Sequence, residues 1–300
     1  MNDAGAVVTL GSFDGVHVGH RAVLDEIARR AQATGRRSVL VTFEPHPAEV
    51  LRPARAPRLL APGLERVAAL AESAVERVHV LRFDAAMAAL PPERFVTDVL
   101  RPATGCTELV VGHDHAFGRG RAGDVALLRA LGAGLGFVVD EVPPVLLEGA
   151  PVSSSRIRQA VAGGDLAEAA RWLGRPYAVD GVVERGAGRG RQLGVPTINV
   201  GGIDPRKALP PDGVWAAWVE WPGGRHGAML NQGPRPTFDD GRPALEAHLF
   251  GVSADLYGAP VRVTWVTRLR ATRRFPSVEA LQAQLQDDRR AAEAALARAG

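Results

Sequence analysis

Two histidines near the start of the chain have a spacing that suits chemistry on phosphates. His17 and His20 form H-x-G-H after the apolar run VVTL and a glycine-containing loop, where a helix should begin. A helix N-terminus attracts phosphate through its free N–H groups and partial positive charge, and Gly19 lets the backbone approach closely. The arrangement suits nucleotidyl transfer, in which negative charge grows on the α-phosphate and the departing pyrophosphate. Two surface histidines at a helix start are the plainer alternative.

A second group of candidate phosphate ligands lies in PVSSSRIRQAV (151–161). Ser154 and Ser155 stand where a helix should begin, so their hydroxyls can cap the helix or bind phosphate. Arg158 can bind phosphate through two parallel hydrogen bonds. Capping with surface arginines explains the same residues when this segment is considered alone.

The segment VVERGAGRGRQLGVPTINV (182–200) combines glycines with candidate metal ligands. It is not a Walker loop, because that motif needs a lysine and the only lysine, Lys207, lies outside such a pattern. A strand-like PTINV follows it, which excludes a dinucleotide fingerprint. Glycine-loop N–H groups can cradle phosphates, while Thr197 and Asn199 share one side of a strand and can bind Mg²⁺. A flexible glycine loop is the alternative.

The segment LEAHLF (245–250) supplies a candidate base. On a strand, Glu246 and His248 project to one face and Ala247 to the other. We expect the Glu246 carboxylate to point into a lined barrel, where it could accept a proton from a hydroxyl. A surface glutamate is the commoner alternative.

The first half of the chain alternates short apolar runs with helical patterns. Strands alternating with helices predict an α/β fold, a parallel sheet with helices on both faces, whose ligands bind at the carboxyl ends of the strands. The predicted strands are 7–10, 38–43, 78–83, 108–112 and 137–142. The predicted helices are 21–33, 65–73, 93–99 and 124–131.

After a short predicted helix at 166–173, the second half changes to strand-like runs separated by Gly- and Pro-rich turns. This pattern predicts an antiparallel β-barrel, and Ser277 would cap a closing helix at 278–297. The predicted strands are 178–184, 213–220, 227–231, 245–250 and 261–266. The predicted boundary in LGRPY gives domains at 1–174 and 175–300.

Composition excludes several classes of protein. The net charge is +3, and no block of like charge or stripe of basic and aromatic residues indicates a nucleic-acid partner. The single cysteine, Cys106, cannot form an intrachain disulfide. No run approaches the roughly 18 apolar residues of a membrane span, and the first residues lack a signal-peptide pattern. We therefore expect a cytoplasmic protein without membrane association, and no obligatory protein partner is evident.

Motifs in both halves resemble those of one enzyme family. H-x-G-H followed late in the same α/β region by S-S-x-R resembles the HxGH nucleotidylyltransferases, and residues 11–20 are similar to the G-x-F-D-G-x-H-x-G-H opening of bacterial FAD synthetases. Residues 190–199 and 245–250 resemble the riboflavin kinase motifs G-R-x-L-G-F-P-T-A-N and V-E-V-H-L-L. Three further segments resemble FAD synthetase motifs: TFEPHP (42–47), GHDHAFGRGRAGD (112–124) and SSSRIR (153–158). The family is that of the bifunctional riboflavin kinases and FMN adenylyltransferases.

The resemblance implies a Rossmann-like, HxGH-class domain that adenylylates FMN to FAD with release of pyrophosphate, and a barrel that phosphorylates riboflavin to FMN. ATP would be the co-substrate of both reactions and Mg²⁺ the cofactor. The implied catalytic residues are His17, His20, Arg158 and Glu246, the last as base for the riboflavin 5′-hydroxyl. The implied ATP-binding residues are Gly11, Ser12, Phe13, His46, Ser154, Ser155, Gly188, Gly190, Arg191, Gly194 and Pro196. The implied flavin-binding residues are Asp114, Phe117, Asn231 and Arg270, and the implied metal ligands are Thr197 and Asn199.

The chain departs from the family pattern at a few positions. His115 and Ala116 stand where Phe and Arg are common, and Gly251 stands where Asp is common. Ser155 replaces a threonine and keeps its hydroxyl. Three alternatives stay open at this point: an adenylyltransferase whose barrel only binds flavin, a non-catalytic flavin-binding protein, and an HxGH enzyme that acts on another phosphorylated metabolite.

Overall fold

The computed structural model describes residues 5–112, 117–186, 195–234, 243–252 and 254–299. The chain divides into two compact units, residues 1–154 and 155–300. The second unit therefore begins with two helices, Ser154–Gly163 and Leu166–Leu173. Only Ser154, the first residue of the first of these helices, belongs to the first unit. The domain boundary near residues 174–175 stays a prediction.

The first unit contains a five-stranded parallel sheet, as the sequence pattern predicts. Its strand order is β3-β2-β1-β4-β5, so the order reverses between β1 and β4. At such a switch point the connections diverge and leave a crevice outside the carboxyl ends of the strands. The strands are β1 (Ala6–Leu10), β2 (Arg37–Glu44), β3 (Arg77–Arg82), β4 (Cys106–Gly112) and β5 (Val138–Val142).

Alternate residues of the central strands bury two separate apolar clusters. Val8 and Leu10 belong to one cluster, whereas Val7 packs with Leu24 and Ile27 of helix α1 (Val18–Thr34) in the other. Because side chains alternate across a strand, burial on both sides means that helices cover both faces of the sheet. This layering fixes where each strand ends and where its following loop begins.

The helices of the first unit occupy the predicted places, with two short additions at Pro47–Leu51 and Ala85–Ala89. A continuous helical run over residues 92–104 includes a π-helical turn at Phe95–Leu100. In chain order, the helices are α1 (Val18–Thr34), α2 (Pro47–Leu51), α3 (Leu64–Ala71), α4 (Ala85–Ala89), α5 (Pro92–Arg94), α6 (Arg101–Thr104) and α7 (Val125–Leu135). Short 3₁₀ turns lie at Pro53–Arg55 and Arg119–Arg121, and β6 (Leu146–Leu147) pairs with β7 (Ala150–Pro151).

The second unit contains a closed antiparallel barrel, again as predicted. Its strand order is β10-β11-β12-β9-β8-β13, and closure leaves no free sheet edge. The strands are β8 (Ala178–Glu184), β9 (Ile198–Gly201), β10 (Gly213–Trp221), β11 (Gly224–Pro234), β12 (Pro243–Leu249) and β13 (Pro260–Arg270).

The C-terminal helix (Val278–Ala299) packs on the outside of this barrel. Its residues Ala292 and Leu296 join an apolar cluster with Val214, Ala216 and Met229 of β10 and β11. The neighbouring residue Trp215 points to the other face and is fully buried. Both faces of these strands are therefore covered. Among the residues that the structure describes, no helix has the length and apolar character that crossing a bilayer requires.

Candidate functional sites

The H-x-G-H segment forms the N-terminus of helix α1. His17 is the N-cap residue, and its Nδ1 accepts a hydrogen bond of 3.2 Å from the backbone N–H of His20. The two imidazole rings stack with their centroids 3.6 Å apart. A side chain at Gly19 would crowd the His17 ring, because a Cβ built there lies 3.3 Å from the ring atoms. The spacing therefore places two stacked imidazoles, of which His17 is buried, at the start of a helix.

Burial of His20 lowers its pKa well below the usual value, and the nearby His17 lowers it further. Its Nδ1 is buried and has no hydrogen-bond partner within the described part of the chain. The side chain is therefore neutral near pH 7. Neutral imidazole can still donate a hydrogen bond to a developing anion through its protonated nitrogen.

The loop that leads to His17 has a strained backbone that neighbouring residues support. Phe13 and Val16 have positive φ angles of 49° and 42°, which are unusual for residues other than glycine. The buried carboxylate of Asp14 accepts N–H hydrogen bonds from Leu60 and Ala61 at 2.9–3.1 Å. The Phe13 side chain is buried in the core, so any contact of Phe13 with ATP would be through its backbone.

The carbonyl of Ser12 is held from two directions. The Thr42 hydroxyl donates to it at 3.2 Å, and the Arg66 guanidinium donates to it at 3.2 Å. Arg66 also donates to the Glu44 carboxylate at 2.5 Å. Gly11 donates its N–H to the Val41 carbonyl at 3.0 Å, which continues the sheet pairing up to the loop.

A cavity of about 570 Å³ opens at the carboxyl ends of these strands. Three of the predicted ATP-binding residues line it, namely Gly11, Ser12 and His46. Apolar side chains line much of the remainder, and Arg52 adds a positive charge. The apolar lining residues include Leu10, Phe43, Leu51, Phe83, Met87, Phe95 and Phe117.

His46 and Phe117 are placed in this lining by local structure. The His46 Nδ1 accepts from the N–H of Ala48, and the Glu49 carboxylate accepts from the N–H of His46, which forms a reciprocal cap on α2. Phe117 lies 6.0 Å from Phe95 between ring centroids. Such an arrangement offers aromatic surface beside polar groups, as small-molecule sites commonly do.

The predicted residues around 153–158 fall in two units. The Ser154 hydroxyl donates to the carbonyl of Asp14 at 3.0 Å, so it is anchored to the loop that precedes His17. Ser155 is exposed and Arg158 is half-buried in the same helix, but both belong to the second compact unit. Their catalytic and binding roles stay predictions. Asp114 lies outside the described residues.

In the second unit, strand register brings polar residues into one cross-strand row. Glu246 on β12 pairs directly with Asn231 on β11 and with Asn199 on β9. Asn199 pairs in turn with Glu184 on β8. Residues directly opposite each other in an antiparallel pair lie about 4.5–5.5 Å apart at Cβ and share a face. The row therefore holds two carboxylates and two amides.

This row lies on the outer face of the barrel, so the expectation that Glu246 points inward is wrong. His248 is directly opposite Met229, which packs against the C-terminal helix. Glu246 is two residues from His248 and shares its face, while Leu245 and Ala247 occupy the opposite face. Alternation alone does not identify the inner face here, because the helix also buries residues on the outer one.

The backbone packs closely against the side chains of Asn199 and Glu184. A Cβ at Gly186 would overlap the Asn199 side-chain amide, and one at Gly201 would overlap the Glu184 carboxylate. His248 Nδ1 makes a hydrogen bond of 2.8 Å to the carbonyl of Pro196. A carbonyl only accepts, so Nδ1 carries the proton in that bond. His248 thereby fixes the entry into the P-T-x-N segment.

The remaining predicted kinase residues are only partly covered by the structure. Thr197 is half-buried and immediately precedes β9. Arg270 pairs with Asp288 of the C-terminal helix at 2.7–3.0 Å, so its flavin role stays a prediction. Gly251 has a φ of 70° in a turn, a conformation that glycine adopts without strain. The predicted residues Gly188, Gly190, Arg191 and Gly194 lie outside the described residues.

Some residues at these sites carry no clear signal in the sequence. Arg66 stands in an amphipathic helix and reads as a solvent-facing side chain, although it is only 7% exposed. Glu184 belongs to a predicted strand, but only the pairing with β9 brings it beside Asn199. The phenylalanines of the cavity read as ordinary core residues. The motif does offer a signal for the Asp14 hydrogen bonds, because an aspartate in a loop commonly accepts hydrogen bonds from backbone N–H groups.

Comparisons with known proteins agree on the identity of both halves. Residues 1–156 match the family model described as FAD synthetase, and residues 173–296 match that described as riboflavin kinase. A bifunctional riboflavin kinase/FMN adenylyltransferase of Pseudomonas fluorescens is 40% identical over 97% of this chain and 93% of its own length. The Escherichia coli K12 enzyme of that name is 38% identical over 95% and 90%, respectively. The Bacillus subtilis one is 32% identical over 96% and 92%.

A solved structure also matches nearly the whole chain. It is a crystal structure from Streptococcus pneumoniae described as a macrolide-efflux protein, with a TM-score of 0.85 and 32% identity over 96% of this chain and 94% of that one. It supports the fold, whereas the family models and named relatives identify the reactions as riboflavin to FMN and FMN to FAD. With ATP as co-substrate of both, the chain belongs to the family of bifunctional riboflavin kinases and FMN adenylyltransferases.

Proposed function

We propose that the two reactions use two separate sets of residues, one built around the H-x-G-H segment and the other around the strands of the barrel. The proposal rests on the different residue types at the two candidate sites. The first unit has stacked imidazoles on a helix N-terminus and an aromatic cavity lined by Gly11 and Ser12 of the preceding loop. The second presents a carboxylate–amide row on the outer face of a barrel. The first set suits stabilisation of phosphate charge, and the second suits removal of a proton from a hydroxyl.

In the adenylyl transfer, FMN places its ring among the phenylalanines of the cavity, and ATP lies towards Gly11, Ser12 and His46. An oxygen of the FMN phosphate attacks the α-phosphorus of ATP, and pyrophosphate leaves. This phosphate is already ionised at neutral pH, so the step needs no general base. His17 and His20 stabilise the growing charge by hydrogen bonding. Ser154 contributes to orientation, and the sequence motif assigns the same role to Ser155 and Arg158.

In the kinase reaction, Glu246 accepts the proton of the riboflavin 5′-hydroxyl while that oxygen attacks the γ-phosphorus of ATP, and ADP leaves. Asn231 is the direct cross-strand neighbour of Glu246 and can orient either the carboxylate or the flavin. The glycine segment with Gly188, Gly190, Arg191 and Gly194 is assigned to ATP phosphates by its motif. Phosphoryl transfer depends mainly on such positioning and charge neutralisation.

The donor set around Asn199 fits Mg²⁺. Asn199 stands in the row between Glu246 and Glu184, and its side-chain oxygen is of the kind that Mg²⁺ prefers as a ligand. Thr197 and Asn199 would hold the ion, which would neutralise phosphate charge when bound. A cytoplasmic location, and the absence of nucleic-acid, membrane and obligatory protein partners, stay predictions from the sequence.

The test assays the two half-reactions separately in two matched variants. His20→Ala should lose FAD formation from FMN and ATP and keep FMN formation from riboflavin and ATP. Glu246→Gln should show the reverse. Loss of both activities in either folded variant would contradict separate sets of residues.

A further inference from the structure

Arg66 occupies an unusual position for an arginine on a short surface helix. It lies in the first turn of α3 (Leu64–Ala71), and its side chain is only 7% exposed. The guanidinium donates to the carbonyl of Ser12 at 3.2 Å and to the carboxylate of Glu44 at 2.5 Å. The sequence motifs of this chain do not include it.

The two groups that Arg66 holds stand at the ends of neighbouring strands. Ser12 follows β1 and leads into the loop that carries His17 and His20. Glu44 is the last residue of β2 and stands two residues before His46. One guanidinium therefore joins the starting points of both segments that carry the proposed phosphate ligands. The guanidinium has several N–H donors in one plane, so it suits contacts with two acceptors better than the compact ammonium of a lysine would.

The hold on the Ser12 carbonyl also sets the direction of a backbone donor. In a trans peptide the carbonyl and the next N–H point in opposite directions, so fixing the Ser12 carbonyl fixes the Phe13 N–H. Thr42 supplies a second donor to the same carbonyl. Phe13 has a φ of 49°, and such a conformation persists only where surrounding contacts enforce it.

We propose that Arg66 is a positioning residue for adenylyl transfer, acting through the Ser12 carbonyl and Glu44 to hold the two phosphate-binding segments in register. The inference rests on the proposed function of these segments in binding ATP. A purely structural role is the competing explanation, since buried ion pairs support folds in many places. The two roles differ in what they change: a structural role lowers stability, whereas a positioning role raises the KM for ATP of one reaction only.

The experiment compares Arg66→Met with a matched variant, Arg30→Met, in the full-length chain. Arg30 makes comparable contacts, with Glu26 at 2.6 Å, Glu108 at 2.9 Å and Asp140 at 2.5 Å, but touches neither phosphate-binding segment. Each variant is assayed for thermal unfolding, for kcat and KM with FMN and ATP, and for kinase activity with riboflavin and ATP. Kinase activity of the same molecules reports that the second unit is intact.

We expect both substitutions to lower the unfolding temperature, but only Arg66→Met to impair adenylylation, by about 10–100-fold in kcat/KM for ATP, as small misplacements of reacting groups do. Most of that loss should appear in KM. Glu44→Gln keeps an acceptor for the guanidinium and should retain most activity. Equal adenylylation kinetics in Arg66→Met and Arg30→Met, measured below both unfolding temperatures, would overturn the inference.

A second variant covers the case in which Arg66→Met does not fold. Thr42→Val removes the other donor to the Ser12 carbonyl while nearly preserving side-chain volume, and we expect a smaller rise in the KM for ATP. An unchanged KM in a folded Thr42→Val protein would contradict the proposed control of the Ser12 peptide. Failure of the underlying proposal is recognised separately, because His20→Ala would then make FAD from FMN at the wild-type rate.

Discussion

The two candidate sites position their residues by different means. In the first unit, loops at the carboxyl ends of parallel strands carry the candidate residues. Hydrogen bonds that Thr42 and Arg66 donate and that Asp14 accepts hold the backbone of the loop before His17 in place. In the barrel, side chains come directly from paired strands, so the hydrogen-bonded register itself sets Glu246 beside Asn199. The first arrangement depends on distant supporting residues, whereas the second depends on the strands staying in register.

The largest expected effect concerns the barrel row. Glu246→Gln keeps the size of the side chain but removes the carboxylate proposed as the base, so kcat for FMN formation should fall by about 10²–10⁴-fold. Glu184→Gln is the matched control on the same row and should be affected far less. The measurement is initial-rate FMN production from riboflavin and ATP. Comparable losses in both variants would show that the row acts through its total charge and not through one base.

The next effect separates capping from catalysis at His17. Asparagine is a good N-cap residue, so His17→Asn should preserve the cap on α1 and much of the stability. It lacks the imidazole, and loss of one stabilising donor costs about 10²–10³-fold in kcat in comparable sites. FAD formation from FMN, measured alongside thermal unfolding, tests this. A stable His17→Asn enzyme with unchanged kcat would assign His17 a capping role alone.

A smaller effect is expected where backbone and amide pack closely in the barrel. Gly186→Ala places a methyl group against the Asn199 amide and should displace it, lowering FMN formation by about tenfold through misplacement. Gly134→Ala is a suitable control, because a Cβ there meets no atom within 4 Å. A higher Mg²⁺ concentration needed for half-maximal activity would identify Asn199 as the affected group. Wild-type Mg²⁺ dependence in a folded Gly186→Ala protein would argue against its role as a ligand.

The smallest effect is a dependence of stability on pH that arises at His20. Its pKa is lowered in the folded state, by burial first and then by His17, so the unfolded chain takes up the proton more readily. Stability from this group is therefore complete above pH 6.5 and is lost as the pH falls below that value. His20→Asn should flatten thermal unfolding profiles between about pH 6.5 and 5, a window set by the unfolded-state pKa of histidine.

Another group contributes only in a more acidic range. Hydrogen bonds from Arg29 and Arg30 lower the pKa of Glu26 from 4.5 to about 2, so its contribution disappears as the pH falls through that interval. The two windows do not overlap, which lets one pH series separate them. An unaltered slope above pH 5 in His20→Asn would place the titrating group elsewhere.

Sequence patterns predict the elements of both units well because their apolar periods are local. The five parallel strands, helix α1 and the closing helix all follow from spacing within short windows. The pairing of Glu246 with Asn199 does not, because it depends on β12 lying beside β9 in the closed barrel. The face of Glu246 was mispredicted for a related reason: both faces of β12 are covered, so burial does not distinguish inside from outside.

The supporting residues of the first site were missed for a different physical reason. Arg66 lies on a separate helix and donates to the Ser12 carbonyl. Every residue has a backbone carbonyl, so the sequence does not indicate which one accepts this hydrogen bond. Likewise, the aromatic cavity assembles Phe43, Phe95 and Phe117 from three distant segments. Motifs identify groups that perform chemistry, whereas long-range packing decides which other residues hold them.

The most direct test of two separate sites is a mixing experiment with His20→Ala and Glu246→Gln. Each purified variant is incubated with riboflavin, ATP and Mg²⁺, alone and together, and riboflavin, FMN and FAD are separated by chromatography over time. We predict that His20→Ala alone accumulates FMN, that Glu246→Gln alone leaves riboflavin unchanged, and that the mixture makes FAD. A mixture of folded variants that makes no FAD would contradict two independent sites linked by released FMN.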